Sequence, residues 1–70
     1  MDFADIVKAV RKQLGLSQQL LADALNMSFS TINRWENRHV VPSKLAQKTF
    51  INYCEDNFID VSKLQKTDNE

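Results

Sequence analysis

The sequence predicts an all-α fold, a compact bundle of four to five short helices. Apolar side chains recur three and four positions apart along the chain, which is the spacing of one buried helix face. The 70 residues contain one glycine and one proline, which favours helices joined by short connections. Hydrophobic residues make up 43% of the chain and charged residues 26%, a balance typical of a small globular domain. This length allows one domain at most.

The first helix is expected from about Asp2 to Leu14. Gly15 follows at once, and a glycine there suits a left-handed residue at the helix end. The apolar residues at helical spacing in this segment are Phe3, Ile6, Val7, Val10 and Leu14.

Two shorter helices are expected next, each opened by a serine. Ser17 is the predicted N-cap of the second helix and Ser28 that of the third. Asn26 lies in the turn between them, where asparagine tolerates a positive φ angle better than most residues. The expected buried residues are Leu21, Ala22 and Leu25 on the second helix and Ile32 and Trp35 on the third. Because so little chain joins the two helices, they must cross steeply, as in helix-turn-helix units that place their second helix in the major groove of DNA.

A fourth helix is expected to begin near Pro42 or Ser43, with the proline in its first turn. After Glu55 the apolar pattern weakens, so we divide the chain into a domain at residues 1–55 and an acidic, partly ordered or disordered tail at residues 56–70. The expected inward face of helix four consists of Leu45, Ala46, Thr49, Phe50 and Tyr53. The apolar tail residues, which would form a further short helix, a dimer contact or a loosely docked arm, are Phe58, Ile59, Val61 and Leu64.

One motif in this segment carries a family resemblance. Its parts are Leu14-Gly15-Leu16-Ser17-Gln18, Leu21-Ala22, Ser28, Ile32 and Trp35-Glu36-Asn37. The motif resembles that of the repressor and Cro-like (xenobiotic response element type) helix-turn-helix family of phage and bacterial regulators, and the resemblance extends from about Ile6 to Phe50. It implies a lambda-repressor-like DNA-binding domain with double-stranded DNA as its partner.

The outer face of the third helix, at about residues 29–37, holds the predicted base contacts. Arginine can bond guanine O6 and N7, and asparagine can pair with adenine, so Arg34 and Asn33 are candidate base readers. Phe29 can pack on a thymine methyl group, and Ser30 can serve a base or a phosphate. The resemblance selects Phe29, Ser30 and Arg34, which occupy the first, second and sixth positions of this helix.

Phosphate contacts are expected around this helix, because they set its depth and register in the groove. Gln18 lies at the start of the second helix, where its amide and free backbone N–H groups would face a phosphate. The resemblance places Ser28 and Asn37 beside the DNA backbone as well. Arg38 and Lys44 lie in or just after the following loop and would add positive charge.

The charge distribution supports this interpretation although the formal net charge is zero. Residues 6–54 carry seven basic against two acidic side chains, and residues 55–70 carry five acidic against two basic ones. Affinity for phosphate depends on the local patch more than on the sum. One of the two acids, Glu36, would be misplaced on a DNA surface. We expect it to pair with Arg11, as an equivalent pair does in the resembled family, where it is an internal salt bridge.

Arg38 is the clearest departure from the family motif. Glycine usually follows Trp-Glu-Asn there and ends the third helix in a left-handed conformation. Either Arg38 adopts that unfavourable conformation, or the helix ends differently.

Catalysis is not expected. Cys54 and His39 are the only thiol and imidazole, and no oxyanion loop or metal set accompanies them. We expect no metal site and no cofactor. No apolar run approaches the roughly 20 residues of a membrane span, and the N-terminus lacks the basic start of a signal peptide, so the expected location is the cytoplasm.

The predicted function is sequence-specific binding of double-stranded DNA by a bacterial or phage transcriptional regulator, with a homodimer formed through helix four and the tail. Two alternatives stay open. One is an antitoxin-like component that also binds a protein partner through the apolar tail, which a neighbouring toxin gene would favour. The other is the DNA-targeting domain of a DNA-modifying enzyme, which a longer reading frame would favour.

Overall fold

The computed structural model describes residues 2–61 and shows an all-α protein with four helices in that range. In chain order the helices are α1 (Phe3–Leu14), α2 (Gln18–Leu25), α3 (Phe29–Glu36) and α4 (Lys44–Asp56). The third helix packs against both α1 and α2, and α4 packs against α2. None of the helices in the described range is long and apolar enough to cross a membrane.

Every helix starts with a side chain that caps it. The N-caps are Asp2, Ser17, Ser28 and Ser43, and their side-chain oxygens accept hydrogen bonds of 3.1–3.2 Å from the backbone N–H groups of Asp5, Leu20, Thr31 and Ala46. The predicted caps Ser17 and Ser28 are therefore confirmed. Two starts differ from the prediction by a residue or two: α1 begins at Phe3, and Pro42 precedes the Ser43 cap instead of lying in the first turn of α4.

Every helix also ends in the same way, with a left-handed residue within two positions of its last residue. These residues are Gly15 (φ 69°), Asn26 (φ 58°), Arg38 (φ 60°) and Phe58 (φ 62°). The next N–H group in each case donates to the carbonyl five positions earlier, at 2.8–3.0 Å, for example from His39 to Arg34. This hydrogen bond satisfies a carbonyl that the helix itself leaves free. The left-handed conformation expected at Gly15 and Asn26 is confirmed.

The core lies where the four helices meet. Three aromatic rings, Phe3 of α1, Trp35 of α3 and Phe50 of α4, contact one another edge-on with centroid distances of 5.4–6.5 Å. Such edge-to-face pairs are favourable beyond the area that they bury. The other buried core residues are Ile6, Val7, Val10, Leu21, Ala22, Leu25, Ile32, Cys54, Ile59 and Val61.

The packing corrects the predicted inward face of α4 and shows where two apolar residues that follow α4 lie. Leu45 is 75% exposed and does not face the core, because the inward stripe runs through Ala46, Phe50 and Cys54, and position 45 is turned about 100° from it. The core also continues past the boundary expected at residue 55, since Ile59 and Val61 are only 5% and 7% exposed.

The predicted apolar tail residues thus divide into two groups with opposite exposure. Ile59 and Val61 belong to the core, whereas Phe58 is 97% exposed. Leu64 and the polar end expected to be disordered lie outside the described residues.

Candidate nucleic-acid interface

A tight connection at residues 26–28 joins α2 to α3. Asn26 reverses the chain in the left-handed conformation, and the Met27 N–H donates to the Ala22 carbonyl at 2.8 Å. Met27 is half-buried and packs against the core, so it fixes the turn to the body of the domain. At the start of α3 the hydroxyl groups of Ser28 and Thr31 lie 2.9 Å apart and share a hydrogen bond.

The two faces of α3 have opposite character. Ile32 and Trp35 are buried against the rest of the bundle. On the other side Ser30 and Arg34 are exposed, and Phe29 retains 45% of its surface. A large apolar side chain and an exposed guanidinium are thereby presented together on the outer face of one helix.

Asn33 does not share the exposure of its neighbours on that face. It is half-buried, and its Nδ2 donates to Oε1 of Gln18 on α2 at 3.2 Å. The Nδ2 of Asn37 donates to Oδ1 of Asn33 at 3.1 Å and to its carbonyl oxygen at 2.9 Å. Three of the predicted DNA-contacting residues are therefore joined to one another in the free protein.

This amide chain ends on a buried carboxylate. Glu36 is 2% exposed and accepts hydrogen bonds from Gln18 Nε2 at 3.0 Å and from Arg11 Nε and Nη2 at 2.8 and 3.1 Å. The guanidinium of Arg11 also donates to the Leu16 carbonyl at 3.1 Å. The expected partners Arg11 and Glu36 are thus in contact, and their pair links α1, the start of α2 and the end of α3.

Opposing effects act on the pKa of Glu36. Burial raises the pKa of this carboxyl, but the hydrogen bonds from Arg11 and Gln18 and the charges of Arg11 and Lys8 lower it by more. The pKa therefore lies below its ordinary value, and Glu36 is ionised at neutral pH. Its negative charge is directed at Arg11 and away from the exposed face of α3.

Of the two alternatives left open by the sequence, the first is found: Arg38 has a left-handed backbone, with φ 60°. Its Nε donates to Asp2 at 2.8 Å, and its Nη2 donates to Asp5 at 2.8 Å. All three side chains are largely exposed to solvent, and the hydrogen bond from Arg38 lowers the pKa of Asp2. The predicted phosphate contact Lys44 is also exposed and begins α4, close to Arg38 in the chain.

The candidate thiol has the opposite properties from a nucleophile. Cys54 is fully buried in the core, and burial raises its pKa to about 11. A reactive cysteine needs a lowered pKa and access to solvent. In residues 2–61 no group of histidine, cysteine and acidic side chains is arranged to hold a metal ion.

Two sets of contacts in the site were missed in the sequence. One is the series of side-chain hydrogen bonds from Asn37 to Asn33, from Asn33 to Gln18 and from Gln18 to Glu36, and the other is the ion cluster of Arg38 with Asp2 and Asp5. The second had a detectable signal, since an arginine stands where the resembled motif has glycine, and Asp2 and Asp5 at the start of the first helix are acids that could pair with it.

A family model described as helix-turn-helix matches residues 7–47 of the chain, which is more than half of its length. No curated protein and no solved structure matched the chain. The matched segment runs from within α1 to the end of the first turn of α4 and includes the whole α2–turn–α3 unit. The chain therefore belongs to the helix-turn-helix family of DNA-binding domains, of the Cro/C1 type.

Proposed function

We propose that this protein binds double-stranded DNA sequence-specifically, with α3 as the recognition helix in the major groove. The observation that carries the proposal is the asymmetry of α3. Its inner face is fixed in the core by Ile32 and Trp35, while Ser30 and Arg34 project from its outer face. A helix of this width fits the major groove, where each base pair presents a distinct pattern of hydrogen-bonding groups.

We assign base reading first to Arg34, whose guanidinium suits the O6 and N7 acceptors of guanine. Phe29 would pack on a thymine methyl group, and Ser30 would bond a base or a nearby phosphate. Both residues lie in the first turn of α3, which enters the groove most deeply in helix-turn-helix proteins. Its residue type alone would make Asn33 a further base contact, with adenine as its partner, but its amide is already hydrogen-bonded to Gln18 and Asn37.

Phosphate binding is assigned to residues that border α3. Gln18 begins α2, and Ser28 and Asn37 lie at the two ends of α3. Arg38 and Lys44 would add charge in the loop that follows and at the start of α4. In the free protein Arg38 is bound to Asp2 and Asp5, so a phosphate contact would require it to exchange partners.

We propose a bacterial or phage transcriptional regulator that acts in the cytoplasm, where its DNA target lies. Occlusion or recruitment at a promoter requires no chemistry, and the buried thiol of Cys54 offers none. A homodimer through α4 and the tail would place two recognition helices on a palindromic site about one helical turn apart. The exposed side chains of Leu45 and Phe58 favour an apolar partner for this region, which also supports the antitoxin-like alternative with a protein bound to the same surface.

The test is selection of bound duplexes from a random DNA library, followed by the same selection with Arg34→Ala. We expect a defined consensus for the wild type and the loss of preference at one base pair in the variant, at a cost of about 1–3 kcal/mol on the specific site. Lys48→Ala, which removes an exposed charge from α4, is the matched control and should leave the consensus unchanged. Equal losses of specific and nonspecific affinity would make Arg34 a phosphate contact instead.

A further inference from the structure

The amide of Asn33 is held on two sides by protein groups. Its Nδ2 donates to Gln18, and its Oδ1 accepts from Asn37. Pairing with adenine requires both of these atoms to face the edge of the base at once. The residue is also half-buried, in contrast to the exposed Ser30 and Arg34.

The buried carboxylate of Glu36 sets the donor–acceptor direction of the side-chain hydrogen bonds that join Gln18, Asn33 and Asn37. An ionised carboxylate only accepts hydrogen bonds, so Gln18 must turn its Nε2 toward Glu36 and its Oε1 away from it. Only a donor can then face that Oε1, which orients Asn33 with its Nδ2 toward Gln18. The remaining Oδ1 of Asn33 in turn accepts from Asn37. Reversing any one amide would bring two donors or two acceptors together.

We propose that Asn33 is a positioning residue that holds Gln18 in the orientation needed for a phosphate contact, and that it reads no base. The proposal rests on the proposed DNA-binding function and narrows it. Gln18 uses one Nε2 hydrogen on Glu36 and keeps the other for a phosphate oxygen. Asn33 fixes the plane of that amide from the side of α3. The depth of α3 in the groove is thereby coupled to the phosphate contact made at the start of α2.

The first experiment uses the free protein and requires no DNA. Side-chain amide hydrogen exchange, followed by NMR, should be slower for Gln18 and Asn33 than for the exposed amides of Gln13 and Asn52. Replacement of Asn33 by alanine should reduce the protection of the Gln18 amide, because Gln18 then keeps its hydrogen bond to Glu36 but loses the contact that fixes its plane. Asn33→Asp keeps the shape but cannot donate from that position, so it should have the same effect if the alanine variant is poorly folded. Unchanged protection of the Gln18 amide in both variants would refute the proposed hydrogen bond between Asn33 and Gln18.

The second experiment measures DNA binding by variants whose melting temperatures match the wild type. Asn33→Ala should weaken binding to every sequence by the same factor, about three- to tenfold, and leave the selected consensus unchanged. Adding Asn33→Ala to Gln18→Ala should cost little more, because the residue acts through Gln18, whereas Arg34→Ala and Gln18→Ala should be additive. Gln13→Ala, which removes an exposed amide from α1, is the control and should bind as the wild type does.

Two results would overturn the assignment. Loss of preference for an adenine in Asn33→Ala would make Asn33 a base reader, and additive losses with Gln18→Ala would show that it acts independently. A wild-type protein that binds no duplex would refute the proposed function and with it the role of Asn33. The amide exchange of the free protein would still establish whether Gln18 and Asn33 are hydrogen-bonded to each other. A failure of the DNA-binding proposal can therefore be distinguished from a failure of the proposal for Asn33.

Discussion

Glu36 is the residue on which most of the interhelical polar contacts depend. It is almost fully buried and accepts hydrogen bonds from a residue 25 positions away on α1 and from one 18 positions away on α2. A buried charge of this kind fixes geometry more than it stabilises, because the cost of removing it from water offsets much of the attraction. Its partners must therefore be present for the fold to tolerate it.

The lowered pKa of Glu36 makes the stability of the protein depend on pH. The folded-state pKa lies below the ordinary value of 4.5, so this contribution is complete above about pH 4.5 and is lost as pH falls through the folded-state pKa. We expect Glu36→Gln to lower the free energy of unfolding at pH 7 and to flatten its decrease below pH 4.5. Urea unfolding followed by circular dichroism between pH 3 and pH 7 measures both effects.

Asp2→Asn is the control for that series, since Asp2 also has a lowered pKa but is exposed. It should change the pH dependence much less than Glu36→Gln, because solvent screens exposed pairs. Parallel curves for the wild type and Glu36→Gln would show that Glu36 does not titrate in this range.

Arg38 combines an unfavourable backbone with favourable side-chain contacts, and two substitutions separate them. Glycine relieves the left-handed backbone, whereas alanine keeps that conformation and loses only the ion pairs with Asp2 and Asp5. We expect Arg38→Gly to raise the melting temperature by a few degrees and Arg38→Ala to lower it. Both should weaken DNA binding and reduce its salt dependence by about one counterion if Arg38 contacts a phosphate. An arginine-to-glycine variant that melts lower than the alanine variant would contradict this account.

At the scale of the helices, the boundaries are the best-determined feature of the sequence. A capping side chain satisfies a backbone donor three residues away, and the residue that follows a left-handed residue donates to the carbonyl five residues before itself. Both are local rules, so Ser17, Ser28, Gly15 and Asn26 could be placed without knowledge of the fold. Phe58 could not, because aromatic residues rarely adopt a positive φ angle.

Gly15 tests the local rule directly. A Cβ added there would meet no atom within 4 Å, so the left-handed backbone at φ 69° is the one feature expected to make Gly15→Ala destabilising. We expect a loss of about 1 kcal/mol, which lowers the melting temperature by about 4–8 °C in a domain of this size. Thermal unfolding provides the measurement, and Gly15→Asn is the matched variant that should lose less, as Asn26 adopts the same conformation at the end of α2. Equal losses would mean that the backbone is not the cause.

The orientation of α4 shows what such local rules leave open. Its start is fixed by Ser43, but both Leu45 and Ala46 offer an apolar side chain one residue apart. The sequence pattern does not choose between these two faces. The choice was made by Phe50, whose ring packs against Phe3 and Trp35, and by Cys54, which is buried in the same core.

At the scale of the whole molecule, one small core holds four helices and the residues that follow α4. Ile59 and Val61 complete this core, so the final described residues stabilise the same unit as the helix-turn-helix. In a domain of 70 residues such contributions are a large part of the total stability. The position of α3, and therefore of its exposed face, depends on the entire core.

Cys54 reports on the integrity of that core. Because its thiol is fully buried and its pKa is raised to about 11, we expect almost no reaction with a disulfide reagent at pH 8 in the native state. The rate should rise by several orders of magnitude in urea, in step with the loss of helical circular dichroism. The urea-unfolded protein provides the reference rate, and rapid labelling without denaturant would show that α4 opens independently of α1 and α3.

The sequence by itself determined the all-α class, the approximate limits of the helices, the α2–turn–α3 unit and the buried positions of Ile32 and Trp35. These follow from periodicity and from caps that act within a few residues. Tertiary structure alone decided that Leu45 faces solvent and that Ile59 and Val61 join the core. It also decided the partners of two polar residues: Asn33 is hydrogen-bonded to Gln18, and Arg38 is paired with Asp2 and Asp5. The partners of Asn33 and Arg38 lie 15 to 36 positions away in the chain. Contacts at that separation depend on how elements distant in the sequence pack against one another, and no local pattern encodes that packing.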